Sequence, residues 1–481
     1  MTTNNYIETP ANKHRKVGML TIFRLGLFNL ALGLMAVLTL AVLNRVMISE
    51  LGIPATITAG TLALSQFIAP VRVLFGQLSD TKPIFGRHRT GYVRIGAIIL
   101  SAAVFLAVQV VWQLGTVVRA NGGWLWNSQT IGWTALLGLI MAIYGIAVSS
   151  SSTPFTALLV DISEESNRSK LVAVVWSMLM VGIVIGGISG GIVLKTINPG
   201  GVAAGQIPLE NLQAPINSVF ATVPFIVISL AFIATWGVEK KYSRFNKQTN
   251  DTDREDKITL GRSLKILTAS RQTGVFFSFL CLLTIGLFMQ EAVLEPYGGE
   301  VFGMSIAETT KLNAYWGIGI LIGYSLTGFL VTPRLGKKLT TKIGCLLVAA
   351  SFILIILSGF TQEQAILKSA IVLFGIAAGT ATIGGISLML DLTAAETAGT
   401  FIGAWGLAQA MSRALATVIG GVILDIGRAI FTTPVLAYGT VFIAQALTMI
   451  VAVTILSSVS VREFKDTTGK AIATVMEGDL D

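Results

Sequence analysis

Charged residues are scarce in this chain: they make up 12% of its 481 residues, about half the share usual in soluble domains, while 53% are hydrophobic and the mean hydropathy is +0.75. That balance excludes a body folded for water and makes lipid the solvent. Histidine is nearly absent, occurring only as His14 and His88, and neither falls in an apolar run. Cysteine occurs only as Cys281 and Cys345, both inside apolar runs, where they read as small packing residues rather than a disulfide or a metal pair. Also lacking are a phosphate-binding glycine-lysine loop, a Cys and His cluster with metal-ligand spacing, and a nucleophile set beside a base. Neither a metal site nor an enzyme is expected.

What the chain does have is apolar length. Spanning a hydrocarbon core takes roughly 20 apolar residues. Twelve stretches qualify, beginning near Thr21, Ala55, Ile95, Trp133, Leu171, Val219, Val275, Ala314, Ile343, Ala370, Phe401 and Val435. The first has no small-residue cleavage site behind it, so it is expected to stay as an anchor. The net charge of +9 follows topology. Among the 34 Lys and Arg, Arg45, Arg119, Lys195, Lys311, Lys368 and Arg428 fall in or beside odd-numbered loops, and Arg24, Arg72 and Arg413 lie inside spans. The rest crowd the two tails and the even-numbered loops. The positive-inside rule then places both termini and the loop from Lys240 to Arg271 in the cytoplasm. That loop interleaves its cations with Asp251, Asp253, Glu255 and Asp256, which argues against nucleic acid as a partner.

The segment from Asp161 to Leu194 aligns without gaps on Asp391 to Leu424, with Asp, Gly-Gly and Leu at matching places. The expected fold is therefore an all-α membrane bundle of about 12 helices in two six-helix halves. These are residues 1–238 and 273–459, with a cytoplasmic linker at 239–272 and a cytoplasmic tail at 460–481. Gly182, Gly186 and Gly190 form a small-residue stripe at four-residue spacing, matched by Ser412, Ala416 and Gly420. Such stripes let helix backbones approach closely in lipid, so the fifth and eleventh spans should play the same packing role.

A second echo closes the second and eighth spans. Gly76-Gln77-Leu78-Ser79-Asp80 is followed by Gly86-Arg87-His88-Arg89, and Gly328 with Thr332 is followed by Gly336-Lys337-Lys338. Glycine permits a tight turn at the membrane surface, the acid can cap a helix N-terminus, and the cations stay on the cytoplasmic side. In this form the sequence resembles the major facilitator superfamily, whose loop signature after spans two and eight is G-x-x-x-D and then G-R-[RK]. Thr81 to Phe85 make the first copy longer than the family's usual spacing, and Thr332 replaces the acid in the second. The resemblance implies the facilitator fold, with halves related by an axis along the membrane normal.

Three further stretches carry a more specific resemblance. They are Leu43-Asn44-Arg45-Val46-Met47 leading to Glu50-Leu51, Phe75 to Thr90 around the loop signature, and Leu294-Glu295-Pro296-Tyr297-Gly298-Gly299 running to Val301-Phe302-Gly303-Met304. In these the chain is similar to the bacteriochlorophyll delivery family of the PucC and LhaA type. The resemblance implies a factor that supplies chlorophyll or bacteriochlorophyll to light-harvesting or photosystem apoproteins in a thylakoid, intracytoplasmic or bacterial inner membrane. It also draws attention to Asn44 and Arg45 as candidates to line a cavity. With no histidine in any span, the pigment would be a transient ligand held by shape and apolar contact. Its magnesium would be left to a carboxylate, amide, backbone carbonyl or water, and no tightly bound cofactor is expected.

Charges inside spans cost about 2.5 to 3.5 kcal/mol each on insertion scales and so are weighed one by one. Arg24 and Arg72 lie within about two turns of the cytoplasmic ends of their spans and can snorkel, and Arg45 sits at the opposite interface. Arg413, roughly 18 Å from the cytoplasmic face, should face the interior and either pair with a carboxylate or meet a ligand. Glu291 and Glu295, four residues apart, should share one face of the seventh span. Glu295 is alternatively an interfacial residue before Pro296. Glu291, beside Gln290, is expected to line the central cavity and either partner Arg413 or bind ligand. Ser149 to Thr153, before Pro154, either line a kinked helix or bond to their own backbone. Two rival functions stay open: a proton-coupled secondary transporter and a pigment-free assembly scaffold. Gly186-Gly187 with Gly190-Gly191 favours the transporter, since it resembles the Gly-Pro-x-x-Gly-Gly motif of facilitator antiporters.

Overall fold

Twelve apolar segments cross the computed structural model, which describes residues 17–162, 165–197, 205–243, 271–391 and 398–459. Most of the expected linker and all of the expected tail lie outside these residues. The first six are α1 (Met19–Glu50), α2 (Ala55–Val71, then Leu74–Thr81), α3 (Thr90–Ala120), α4 (Ser128–Ile162), α5 (Glu165–Val193) and α6 (Leu209–Thr235). The second six are α7 (Arg271–Phe288), α8 (Ile306–Leu335), α9 (Lys337–Thr361), α10 (Gln364–Asp391), α11 (Ala398–Ile430) and α12 (Pro434–Ser458). Eleven of these helices are long and apolar enough to cross a membrane, and α2, bent by 49°, makes a twelfth. The protein is a multi-pass membrane protein. With twelve crossings, α1 begins and α12 finishes at one end of the bundle, the near end; the α1–α2 connection marks the far end.

The sequence repeat is also a structural one. In the first half α1 packs on α5 and α6, and α3 packs on α4 and α6; in the second, α7 packs on α11 and α12, and α9 packs on α10 and α12. The halves meet through α5 against α8 and α2 against α11. A shift of six helices turns one of these contacts into the other, as parallel repeats require. The glycine stripe makes the approach possible. A Cβ on Gly182 would run into the carbonyl of Leu30, and one on Gly33 would sit 2.9 Å from the amide nitrogen of Ile183. Gly186 lies against Val37, and Gly190 faces Thr310 of α8 across the halves. Gly420, its counterpart in α11, lies against the Met289 carbonyl at the end of α7.

The loop signature builds the near end. Phe85 and Gly86 both adopt positive φ, 51° and 69°, closing a tight turn in which Ile84 and Arg87 exchange backbone hydrogen bonds. The turn delivers Arg89 to Asp80 at 2.6 Å, Asp161 at 2.8 Å and the Ser79 hydroxyl at 2.6 Å. Asp80 was expected as a possible helix cap. It pairs with Arg89 instead, and the cap on α3 comes from Glu239, whose carboxylate accepts from the amides of His88, Arg89 and Thr90 and from the Thr90 hydroxyl. A carboxylate is favoured there because the first amides of a helix have no partner within it. The second half uses another solution: the Lys338 ammonium donates to the Ser457 and Val459 carbonyls at the end of α12.

Candidate functional site

The polar groups that concentrate between the halves sit where two equivalent helices, α1 and α7, both lose regular geometry. From Val37 to Leu43 and from Val46 to Glu50, α1 is π-helical, a wide turn that frequently accompanies functional sites. The run in α7 breaks at Met289–Ala292, a single 3₁₀ turn, and a short helix, Leu294–Phe302, resumes after Val293. Pro296 is the reason: it has no N–H for the carbonyl of Ala292, four residues back, and its ring crowds that carbonyl. Asn44 takes up the freed group, its amide donating to Ala292 O at 3.0 Å and to Glu291 O at 3.3 Å. The side-chain oxygens of Asn44 and Gln290 are buried with no hydrogen-bond partner.

The break overturns the expectation that Glu291 and Glu295 share one face of a continuous helix. Glu291 turns to Arg413 of α11 and accepts from Nη2 and, at 3.1 Å, from Nε. The Arg413 guanidinium lies over the Phe288 ring, 4.4 Å from its centroid. Its side chain is nevertheless 36% exposed, against 10% for Glu291. Glu295 is not interfacial either. It is 4% exposed and accepts from the Asn313 amide of α8 at 2.8 Å, while Oε2 has no partner.

Arg45, expected at an interface, is 2% exposed. Its guanidinium packs flat on Gly299, where even a Cβ would collide with it. Nη1 lies 3.1 Å from Oε1 of Glu50 but is poorly aligned for a hydrogen bond, so the attraction is mainly coulombic. The other Glu50 oxygen accepts from the Gly205 amide at 2.9 Å. Farther out, Arg428 donates to both oxygens of Glu300, at 2.7 and 3.0 Å, and to the Tyr438 hydroxyl at 2.9 Å. Ser49 of α1 donates to the same Glu300 at 3.0 Å. Asp425 of α11 reaches across the halves to cap α2, accepting from the amides of Ala55 and Thr56 at 3.0 and 2.8 Å.

The described hydrogen bonds between the halves thus join the far portion of the bundle. Glu50, Glu300, Asp425, Arg428, Ser49 and Asn313 were not among the expected site residues. In the sequence Arg428 reads only as a loop charge, and Glu50 only as part of a motif. The hydroxyls of Ser149, Ser150 and Ser151 bond to their own helix backbone, at Gly145, Ala147 and Val148. Cys345 is buried and Cys281 half-buried, both as free thiols.

A family model described as PUCC protein matches residues 42–464, nearly the whole of both halves and the site between them. The chain belongs to the PUCC family. Among curated proteins it is similar to the "Bacteriochlorophyll synthase 44.5 kDa chain" of Rhodobacter capsulatus, 30% identical over 91% of this chain and 94% of that one. It is also similar to "Protein PucC" of the same organism, 28% identical over 91% of this chain and 92% of the other. In fold, this PUCC family member resembles the nucleoside transporter NupG, with a TM-score of 0.63 at 14% identity, covering 92% of this chain and 99% of that one. A bacterial homologue of the iron transporter ferroportin gives a TM-score of 0.66 at 14% identity, covering 92% of this chain and 100% of the other. These likenesses establish the major facilitator architecture.

Proposed function

We propose that this protein is a membrane assembly factor that carries a chlorophyll-type pigment to light-harvesting or photosystem apoproteins. The observation that carries the reading is the match to the PUCC family along nearly the whole chain, with relatives named for bacteriochlorophyll. Two features of the site support it. The part-exposed Arg413 guanidinium, stacked on the Phe288 ring, supplies a cation without a histidine to lock a magnesium in place, which suits a ligand that must leave again. Hydrogen bonds in the far portion keep the halves joined, which leaves the Arg413 region as the place for a ligand.

The word synthase belongs to a relative's name. In this chain the site groups are arranged as ion pairs and caps, and we read the protein as a carrier, not an enzyme. The bias of Lys and Arg puts the near end, with both termini, in the cytoplasm. The pigment is then cargo, and the partners are the pigment, the receiving apoproteins and the lipid bilayer.

A second reading, a secondary transporter of a small molecule, is favoured by a part-exposed cation, Arg413, on a helix that packs against the other facilitator half. Deleting the protein in a pigment-making host separates the two. Loss of assembled antenna or photosystem with normal pigment synthesis supports the carrier. Intact assembly, with a small solute no longer moved by membrane vesicles, supports the transporter.

A further inference from the structure

We propose that Glu295 binds a proton and that this proton keeps the two halves closed on each other around the break in α7. It does so for any cargo, because the charge balance between the halves requires it. The carboxylates along the seam are matched one by one, with an exception. Glu291 has Arg413, Glu50 has Arg45 at 3.1 Å, and Glu300 has Arg428 at 2.7 Å. Asp425 accepts from two helix amides. Among the described residues Glu295 has only the neutral Asn313 amide, at 2.8 Å on Oε1.

Glu295 is buried, and its Oε2 meets no donor among the described residues. Ionised, it would have exchanged its hydration for one hydrogen bond from a neutral group, and a carboxyl so placed neutralises by taking up a proton. The donor count agrees. Asn44 Oδ1 and Gln290 Oε1 are also buried acceptors without a partner. Both belong to the break: Gln290 lies in the turn Met289–Ala292, and the Asn44 amide is committed to the Glu291 and Ala292 carbonyls. A stretch with three acceptors in want of a hydrogen gains one O–H when Glu295 is a neutral acid, and none when it is a carboxylate.

Glu295 also stands where the halves touch. On one side of it Asn44 of α1 bonds the Ala292 carbonyl. On the other, Arg45 of α1 packs on Gly299, one helical turn after Glu295 and on the same face of Leu294–Phe302. The charges on the surrounding elements are engaged elsewhere. On α1 Arg45 faces Glu50; on α8 Glu308 closes the Ser305 cap, and Lys311 lies along Gly191 of α5. On α11 Arg413 and Arg428 hold Glu291 and Glu300, and on α12 the Tyr438 hydroxyl accepts from Arg428. Loss of the proton to water therefore leaves Glu295 as an unmatched negative charge between α1, α8 and the short helix. Loosening of the halves at the far portion lets water reach it.

The test is infrared spectroscopy of the detergent-purified full chain as wild type, Glu295→Gln and Asn313→Leu, together with thiol labelling of a cysteine placed at Thr56 in the far portion. Wild type is expected to show a protonated carboxyl C=O band at neutral pH that fades as pH rises. Glu295→Gln replaces the neutral acid by a neutral amide of the same shape, so it should melt with wild type and lack the band. Should that variant fail to fold, Asn313→Leu decides: loss of the hydrogen bond to Oε1 shifts a band that belongs to Glu295, and an unmoved band overturns the assignment. Labelling at Thr56 should rise with pH more steeply in wild type than in Glu295→Gln, the part common to both being the titration of the thiol itself. Absence of the band at neutral pH, its survival in Glu295→Gln, or identical pH profiles of labelling in the two proteins would overturn the proposal.

Discussion

Replacing Glu50 with Gln should destabilise the protein far more than removing both members of its ion pair. Arg45 and Glu50 have side chains only 2% and 1% exposed, and Arg45 is wedged against Gly299 with no room to swing toward water. Glu50→Gln leaves a buried, uncompensated guanidinium, which costs about 3–5 kcal/mol, or roughly two to four powers of ten in the folded-to-unfolded ratio. The double change Arg45→Met, Glu50→Leu replaces the pair by apolar groups of similar length and should return to within about 1 kcal/mol of wild type, because a buried pair with imperfect alignment gains little over a well-packed apolar one. The assay is built into the chain. Cys345 is buried and Cys281 half-buried, so a thiol-reactive fluorophore reports unfolding on heating in detergent. The reasoning is refuted if the single variant melts with wild type, or if the double variant melts below the single.

Asp425→Ala should remove the cross-half cap on α2 at a cost of about 0.5–2 kcal/mol, and it should raise the labelling rate of a cysteine placed at Thr56 if the far portion loosens. Gly182→Val should prevent α1 and α5 from closing, costing about 1–3 kcal/mol or more and visible as a lost monodisperse peak in size-exclusion chromatography. Gly299→Ala should lower the melting point of wild type and be tolerated beside Arg45→Ala, since the obstacle is the guanidinium itself. Glu239→Gln keeps one oxygen where the carboxylate accepted four hydrogen bonds, and it should raise hydrogen exchange at the amides of His88 to Thr90 without touching the far portion.

Much of this was legible in the chain because lipid makes the code simple. Apolar length gave the spans, the repeat from Asp161 to Leu194 gave the halves, and the depth of Arg413 demanded a partner that Glu291 supplies. The break in α7 was also written locally, in Pro296, but periodicity alone carried Glu291 and Glu295 past it onto one face. The far-portion groups were hidden for a different reason. Asp425 caps amides 369 and 370 residues away, and Ser49 meets a carboxylate 251 residues away, contacts that exist only once the halves have packed. Arg45 and Arg428 looked like interface charges because their counter-ions, Glu50 and Glu300, look like ordinary loop acids in a linear reading. Glu239 sits on the border of the expected linker, yet its carboxylate belongs to α3.

The most direct measurement of the central claim is an absorbance spectrum of the protein purified in mild detergent from a pigment-making host, beside a Glu291→Gln, Arg413→Ala variant. The account predicts a chlorophyll-type spectrum that is diminished in the variant at equal protein yield. A colourless wild-type preparation, from a host whose antenna assembles normally when the protein is deleted, would contradict it.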